Sequence, residues 1–146
     1  MEKTTGFYTL KGYHTSAPPE MTPAMEDYLE MICRLLQNKD VVRIGELANA
    51  LHVKPASTTR MIQQLATCGY VNSQRYGYIR LTEKGKTMGD YLLYRHDVLQ
   101  RFLCYLNQTE SELEQVEKIE HFLNRHTVDN LNALTIMLEK VHKNGR

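Results

Sequence analysis

The segment VEKIEH, residues 116–121, carries two carboxylates and an imidazole at helical spacing. In a helix, Glu117, Glu120 and His121 lie on one face, where they could ligate a divalent metal ion through oxygen and nitrogen. The common alternative is the solvated flank of an amphipathic helix, which carries the same residue types without binding a metal. The spacing of this segment alone leaves both interpretations open.

Two earlier segments carry groups of the same kind. Asp27 and Glu30 are three residues apart and share a helix face, although Glu30 could simply pair with Arg34 in water. His96 lies four residues after Leu92 on an apolar stripe, where a histidine is more often part of the core than a ligand. Taken singly, each of these residues favours an ordinary structural role.

Taken together, the six residues supply four carboxylates and two imidazoles from three predicted helices. If the C-terminal helices fold back onto the first helix, these groups surround one pocket, and four clustered anions resist ionisation unless a cation compensates them. Two divalent ions would balance the charge. An oxygen-rich set with some imidazole and no thiolate suits Mn²⁺ or Fe²⁺ better than Zn²⁺ or Cu⁺. The set therefore predicts a metal site that no single residue would predict.

Hydrophobic periodicity predicts the helices that must position these groups. The first runs from the Thr22 cap to about Gln37, a long one runs from Thr82 to about Leu106, and two shorter ones open at Thr109 and Thr127. The predicted buried stripe of the long helix consists of Met88, Leu92, Leu99, Phe102, Leu103 and Leu106. Residues 1–21 show no period and are predicted to form an arm that stops at the Pro18-Pro19 pair.

Residues 43–71 predict a helix-turn-helix whose second helix begins at Pro55 and packs Thr58, Ile62 and Leu65 inward. The alternating segment YVNSQRYGYIRLT, with Gly77 at its centre, predicts a β-hairpin directly after it. These elements make a winged helix. We therefore expect a mainly α protein with a small β-wing: an arm over 1–21, a winged helix-turn-helix over 22–90, and a helical domain over 91–146.

The outward face of the second helix carries groups suited to DNA. The predicted DNA contacts are Ser57, Thr59, Arg60, Gln63, Arg75 and Arg80. Arg60 is expected to read a base edge, because residues near the start of a recognition helix reach the major groove. Residues 41–90 contain seven Lys or Arg against three Asp or Glu, which favours contact with phosphates. A protein-interaction module with a polar outer face is the alternative.

Overall composition excludes several classes of protein. The chain has 146 residues and a formal net charge of +1, which indicates one sizeable core or two small helical units and no nucleic-acid-coating tail. The three cysteines are scattered through apolar segments, so we expect reduced thiols rather than disulfides. We find no signal peptide, no membrane span, no nucleophile–base pair and no phosphate-binding glycine loop. These features predict a cytoplasmic protein that is not an enzyme, with no membrane partner and no small organic substrate.

Five motifs connect the metal prediction with the DNA prediction. TPAMEDYLEMICRLL, ELANALHVKPASTTRMIQQL, YGYIRLTEKGK, YRHDVLQRFL and VEKIEHFL resemble, in order and spacing, the manganese-responsive branch of the diphtheria toxin repressor family of metal-dependent repressors. The resemblance covers about residues 22–140. It implies a binuclear site with Asp27 and His121 serving one ion, Glu30 and His96 the other, and Glu117 and Glu120 shared. The iron-responsive branch has methionine and cysteine in place of Asp27 and Glu117, so the resemblance favours Mn²⁺, two ions per subunit, over Fe²⁺.

By this resemblance we expect a homodimeric, Mn²⁺-activated transcriptional repressor that controls manganese uptake. The C-terminal helices would form the dimer, and the two reading helices would bind a palindromic operator in double-stranded DNA. Three alternatives remain open: an iron-responsive repressor of the same family, a winged-helix regulator without metal, and a helical di-metal enzyme. The enzyme is the weakest of these, since di-iron bundles repeat Glu-x-x-His on two helices and this chain has no second copy.

Overall fold

Residues 6, 9, 21–73 and 77–145 are described in the computed structural model. The helices are α1 (Pro23–Leu35), α2 (Ile44–Leu51), α3 (Pro55–Thr67), α4 (Glu83–Asn107), α5 (Leu113–Ile119), the 3₁₀ turn Glu120–Phe122, and α6 (Arg125–Asn144). The strands are β1 (Val42–Arg43), β2 (Val71–Ser73) and β3 (Tyr78–Leu81). The prediction of a mainly α fold with a small wing is confirmed. The predicted arm and the hairpin tip with Arg75 lie outside the described residues, apart from residues 6, 9 and 21.

Local capping residues begin the predicted winged helix-turn-helix, which consists of α1–α3, β1–β3 and the first half of α4 and is called the reading domain below. The Thr22 hydroxyl accepts a hydrogen bond from the Met25 amide at 3.2 Å, and Pro23 follows in the first turn, so α1 begins where the sequence indicates. His52, in the left-handed region at φ 56°, ends α2 and makes the tight connection to α3. The helix-turn-helix is therefore present with both predicted helices.

One core holds the reading domain together. It is formed by buried residues from α1, α2, α3, the sheet and the first half of α4, and its fully buried members include Leu29, Ile32, Leu47, Leu65, Ile79 and Leu92. The sheet order is β1-β3-β2, and all pairs are antiparallel. β1 was not predicted, because a strand of two residues has no periodicity to read. Val42, which is fully buried, pairs with Ile79 and attaches this strand to the hairpin.

The long helix α4 packs closely against the reading domain through two glycines. Thr82 caps it by accepting from the Gly85 amide at 3.0 Å. A Cβ on Gly85 would lie 1.9 Å from the Tyr70 carbonyl oxygen, so a larger residue would displace the backbone there, and a Cβ on Gly89 would lie 2.0 Å from the Cys33 sulfur, which would have to shift. α4 continues past residue 90 without a break. The predicted division of the chain at that residue stays a prediction.

The C-terminal helices differ from the prediction in their details. α5 begins at Leu113 rather than near Thr109, because the Thr109 hydroxyl donates to Glu112 at 2.8 Å instead of capping a backbone amide. α6 begins at Arg125 because the Asn124 side chain, an equally good cap, accepts from the Thr127 amide at 2.9 Å. Leu106 was predicted to be buried and is 61% exposed, since nothing described covers the end of α4 there.

Within the described part of the chain, no helix combines the length and the apolar character needed to cross a lipid bilayer.

Candidate metal centre and nucleic-acid interface

Three elements converge on one group of ionisable side chains. Asp27 and Glu30 extend from α1, His96 from α4, and Glu120 and His121 from the 3₁₀ turn. Their ligand-capable atoms form two sets, Asp27 with Glu120 and His121, and Glu30 with His96 and Glu120, each with its atoms within 4.8 Å of one another. Glu120 belongs to both sets and is 1% exposed. Five of the six predicted ligands therefore meet at one place.

The set around Glu30 is largely buried. His96 Nδ1 lies 3.2 Å from Glu120 Oε2 and 3.7 Å from Glu30 Oε2, and Arg34 approaches Glu30 at 3.5 Å. Burial, followed by the nearby charge of Glu120, raises the pKa of Glu30. The hydrogen bond to Glu120 raises the pKa of His96 against the opposing effect of burial. Positive charge near these two carboxylates therefore favours their ionised forms, and Arg34 and His96 both lie close enough to supply it.

His121 lies between two carboxylates of α1. Its Nε2 is 3.1 Å from Asp27 Oδ1, and its Nδ1 is 2.9 Å from Glu26 Oε1. Burial lowers the pKa of His121, but the hydrogen bonds and charges of Asp27 and Glu26 outweigh it and raise the pKa to about 9. Asp27 is about half exposed, so this side of the centre is open to solvent.

Glu117 does not join either set of close ligand atoms. It is exposed on α5, and it lines a cleft of roughly 320 Å³ together with Asp27, Glu30 and His52. The α-helix ends at Ile119, and Glu120 and His121 follow it in a 3₁₀ turn. The ligand role of Glu117 stays a prediction.

Arg95 and Glu26, to which the sequence analysis gave no role, form a buried ion pair beside the candidate centre. Arg95 on α4 is 3% exposed and donates from Nη2 to Glu26 Oε1 at 3.2 Å and from Nη1 to Glu26 Oε2 at 3.4 Å. A signal for this pair existed in the sequence. Arg95 lies between Leu92 and Leu99 on the apolar stripe, and a charged residue on such a stripe requires a buried partner.

The chemistry of the donor atoms fits a divalent cation. Three carboxylates and two imidazoles from the described residues converge. Two of the carboxylates, Glu30 and Glu120, are buried, and no thiolate is among these groups. Carboxylate-rich sites with a minority of imidazole suit Mn²⁺ and Fe²⁺, while thiolates favour softer ions. Cys33, the nearest cysteine in sequence to Glu30, is buried, and burial followed by the charge of Asp90 raises the pKa of its thiol to about 11.

The reading face is separate from this centre and exposed. Thr58, Ile62 and Leu65 are buried and hold α3 against the core, so the opposite face of α3 points to solvent. The predicted DNA contacts exposed there or on β3 are Ser57, Thr59, Arg60, Gln63 and Arg80. The Thr59 hydroxyl donates to the Pro55 carbonyl at 3.1 Å and can still accept a bond. Arg75 lies outside the described residues.

The C-terminal helices leave a second kind of surface. Large apolar side chains that remain exposed there are Leu106, Leu113, Phe122, Leu134, Ile136, Met137 and Val141. Met137 and Val141 are four residues apart on α6 and are 61% and 64% exposed, so they form one apolar face of that helix. Exposed apolar side chains of this size and grouping are typical of a protein–protein contact.

Comparison with known proteins gives matches over most of the chain. A family model described as iron dependent repressor, N-terminal DNA binding domain, matches residues 20–79, and one described as iron dependent repressor, metal binding and dimerisation domain, matches residues 82–143. The HTH-type transcriptional regulator MntR of Bacillus pumilus (strain SAFR-032) is 38% identical over 120 residues, covering 82% of this chain and 83% of that protein.

Solved structures agree with these matches. The manganese regulator SloR is 26% identical with a TM-score of 0.67, and the alignment covers 78% of this chain and 54% of that one. The metal-dependent transcriptional regulator MtsR is 25% identical with a TM-score of 0.69 and the same coverage, 78% and 54%. This chain therefore spans about half the length of these two solved relatives.

Proposed function

This chain belongs to the iron dependent repressor family, the diphtheria toxin repressor family that its motifs resemble, and from that premise we propose that it is a Mn²⁺-activated, DNA-binding transcriptional repressor of manganese homeostasis. It acts as a homodimer on double-stranded DNA. The names of its relatives are those of regulators and not of enzymes. No small organic substrate is part of this proposal.

One observation carries the proposal: the candidate metal ligands come from both functional parts of the chain. Asp27 and Glu30 belong to α1, within the part matched to a DNA-binding domain, and His96, Glu120 and His121 belong to the part matched to a metal-binding and dimerisation domain. A metal ion bound by all of these residues would link the position of the reading domain to the part of the chain matched to dimerisation. This is the arrangement that a metal-dependent switch requires.

The side chains of the centre explain how such a switch works. His96 lies between Glu30 and Glu120, at 3.7 and 3.2 Å, and His121 lies 3.1 Å from Asp27. A bound divalent cation supplies the positive charge that lets these carboxylates stay ionised side by side. The same residues then hold α1 in one orientation relative to α4, which narrows the range of distances between the two reading helices of a dimer. Bound cation thereby raises the affinity for DNA, and bound DNA raises the affinity for the cation by the same factor.

The DNA side of the proposal follows from the geometry of a dimer. Two α3 helices placed about one helical turn of DNA apart, roughly 34 Å, read a palindromic operator in successive major grooves. We assign Arg60 to a base edge, Ser57, Thr59 and Gln63 to bases or backbone, and Arg80 to phosphate; Arg75, at the wing, is assigned to phosphate from the sequence. The Arg43 guanidinium lies over the Tyr78 ring, 5.0 Å from its centre, and donates a hydrogen bond to the Tyr78 hydroxyl at 2.7 Å. These contacts connect β1 and β3 at the base of the wing.

For the metal side, we propose two Mn²⁺ ions per subunit, with Asp27, Glu30, His96, Glu117, Glu120 and His121 as ligands. The donor chemistry and the resemblance support this set, and Fe²⁺ is the alternative occupant. Glu117 faces the same cleft as Asp27 and Glu30, so it is available to the centre from the solvent side.

The experiment is fluorescence-anisotropy binding to DNA from upstream of this protein's own gene or of the nearest metal-transporter gene. Titrations at fixed salt are compared with chelator, Mn²⁺, Fe²⁺ or Zn²⁺, because phosphate contacts make affinity depend on salt. We expect tight binding only with metal, strongest with Mn²⁺. Glu120→Gln, which removes the charge shared by both ligand sets, should weaken Mn²⁺-dependent binding at least about 100-fold.

The matched control is Glu114→Gln, on the exposed side of α5, where the carboxylate pairs only with Lys118 among the described residues. It should bind as the wild-type protein does. Equal DNA binding with chelator and with Mn²⁺ would instead favour a winged-helix regulator that uses no metal. Stronger activation by Fe²⁺ than by Mn²⁺ would reassign the protein to the iron-responsive branch.

A further inference from the structure

Glu26 is a carboxylate beside the candidate centre that faces both His121 and the buried Arg95. Its Oε1 lies 2.9 Å from His121 Nδ1, and both of its oxygens accept from the Arg95 guanidinium at 3.2 and 3.4 Å. Its side chain is 15% exposed, whereas that of its neighbour Asp27 is 49% exposed. Glu26 is therefore turned away from solvent and toward the back of the His121 ring.

The ring of His121 is held by different groups on its two nitrogens. Nδ1 faces Glu26, and Nε2 faces Asp27 at 3.1 Å, on the side where Glu120 and His121 form a set of close ligand atoms. A neutral imidazole that ligates a metal through one nitrogen keeps its proton on the other, and the acceptor that holds this proton fixes both the tautomer and the ring plane. A carboxylate is a strong acceptor for such a proton.

Arg95 in turn determines which way Glu26 can point. The guanidinium is 3% exposed, and its planar fork binds the two oxygens of one carboxylate at once. Because Arg95 belongs to α4 and Glu26 to α1, the carboxylate is fixed by the packing of two helices and not by its own rotamer alone. Arg95 therefore stabilises Glu26, and Glu26 stabilises the orientation of His121.

We infer that Glu26, held by Arg95, is a positioning residue that presents His121 to the cation through Nε2, without itself being a ligand. This inference rests on the proposed metal-binding function. The chain from Arg95 through Glu26 to His121 joins α4, α1 and the 3₁₀ turn, so it arranges the Asp27 side of the centre. The Glu30 and His96 side has its own contacts to Glu120 and Arg34 and does not depend on Glu26.

The test compares Glu26→Gln and Glu26→Ala with the wild-type full-length chain, using Mn²⁺ alone as the probe. The signal of free Mn²⁺ in electron paramagnetic resonance gives the number of ions bound and their affinities. Loss of a partner that orients a ligating histidine typically weakens metal affinity about 10–100-fold. We expect that loss for one ion in Glu26→Ala, a smaller loss in Glu26→Gln, whose amide oxygen can still accept, and an unchanged affinity for the other ion.

A second readout separates positioning from a general loss of structure. In histidine-labelled protein loaded with Zn²⁺, which is diamagnetic, ¹⁵N spectra show which nitrogen of His121 carries the proton. Wild type should keep the proton on Nδ1, and Glu26→Ala should show a mixture of tautomers. Glu26→Gln preserves a hydrogen bond to Arg95, so it keeps the test available if the alanine variant does not fold. Glu114→Gln is the matched control and should equal wild type in both measurements.

Each result decides the question. Wild-type affinities and tautomer in both Glu26 variants would overturn the inference and leave the proposed function standing. An equal weakening of both ions would also overturn it, because a merely structural loss has that signature. Failure of the wild-type protein to bind Mn²⁺ at all would overturn the proposed function and this inference with it.

Discussion

The reading domain buries its large apolar side chains within one chain, whereas the C-terminal helices leave many of theirs exposed. In the reading domain, Leu29, Leu47 and Leu65 are fully buried within the same chain. In the C-terminal region the buried cluster is small, built on Leu99, Leu103 and Val116, while seven large apolar side chains in and around the C-terminal helices stay exposed in the described structure. One chain is enough to bury the core of the reading domain, whereas the C-terminal region leaves apolar surface of the kind that protein–protein contacts cover.

The candidate metal centre lies where these two regions meet, and it differs chemically from both. Its buried members are ionisable, so neither a local core nor an apolar interface explains them; Glu120 at 1% exposure is the extreme case. The proposed function places three tasks in three regions: DNA reading on α3, dimerisation on the exposed apolar helices, and coupling at the polar junction. Each task can be disturbed separately.

The largest effect is expected in the reading core. Leu29→Ala removes a fully buried side chain and leaves a cavity, which should lower the free energy of unfolding by about 2–5 kcal/mol. Urea denaturation of metal-free protein at one fixed concentration measures this loss. Val53→Ala is the matched control, since Val53 is 37% exposed in the reading domain, outside the apolar surface proposed for dimerisation, and its truncation should cost much less. Equal losses in both variants would contradict the assignment of Leu29 to a tightly packed core.

A smaller effect is expected on the reading face. Arg60→Ala should weaken binding to the operator by about 1–3 kcal/mol and relax the preference for one base, because it removes the proposed contact to a base edge. Since Arg60 is exposed, the change should have little effect on the stability of the fold. Anisotropy titrations with Mn²⁺ against operator variants measure both quantities. Lys140→Ala removes the same charge from α6, away from α3, and serves as the control. A uniform loss across all DNA sequences would reassign Arg60 to a phosphate contact.

The apolar face of α6 gives the next prediction. Val141→Asp places a charge on a surface that is 64% exposed in one chain, so folding of the single chain should change little while dimerisation weakens at least about tenfold. Analytical ultracentrifugation over a range of concentrations gives the dimer dissociation constant. Val53→Asp makes the same change at a residue 37% exposed in the reading domain. A dimer that resists the first change and not the second would place the interface elsewhere.

The last prediction concerns the reactivity of the Cys33 thiol, which lies where α1 packs against Gly89 of α4. Its pKa of about 11 leaves roughly one thiolate in a thousand at pH 8, so iodoacetamide should modify it far more slowly than the half-buried Cys68 and Cys104. Mass spectrometry of peptides after timed labelling gives the three rates. In urea the three cysteines should react alike. Rapid labelling of Cys33 in the folded protein would show that the contact between α1 and α4 opens readily.

Much of the fold could be predicted because its signals are local. The starts of α1 and α4 depend on Thr22 and Thr82, each of which caps an amide three residues away. The inward face of α3 follows from the spacing of Thr58, Ile62 and Leu65. Where two local signals competed, the prediction was wrong: Asn124 and not Thr127 caps α6.

The candidate site could be predicted only in part. The residue types at 27, 30, 96, 120 and 121 indicated metal chemistry, and the structure brings them together. Glu117 was grouped with Glu120 and His121 by its spacing, but it is exposed and joins neither set of close ligand atoms, so its ligand role stays a prediction. Arg95 was passed over since a charged residue on an apolar stripe has no visible partner until the fold supplies one.

The sequence by itself determined where α1 and α4 begin, which face of α3 packs inward and which side chains carry groups able to bind a metal, since these depend on neighbours within about four positions. Only the tertiary structure decided that Glu26 meets His121, 95 residues further along the chain, and that Arg95 holds both oxygens of the same carboxylate. The physical reason lies in the packing of α4 on α1 through Gly89, which sets the distance between the two helices. A long-range contact of this kind depends on how whole elements pack, and no local pattern encodes it.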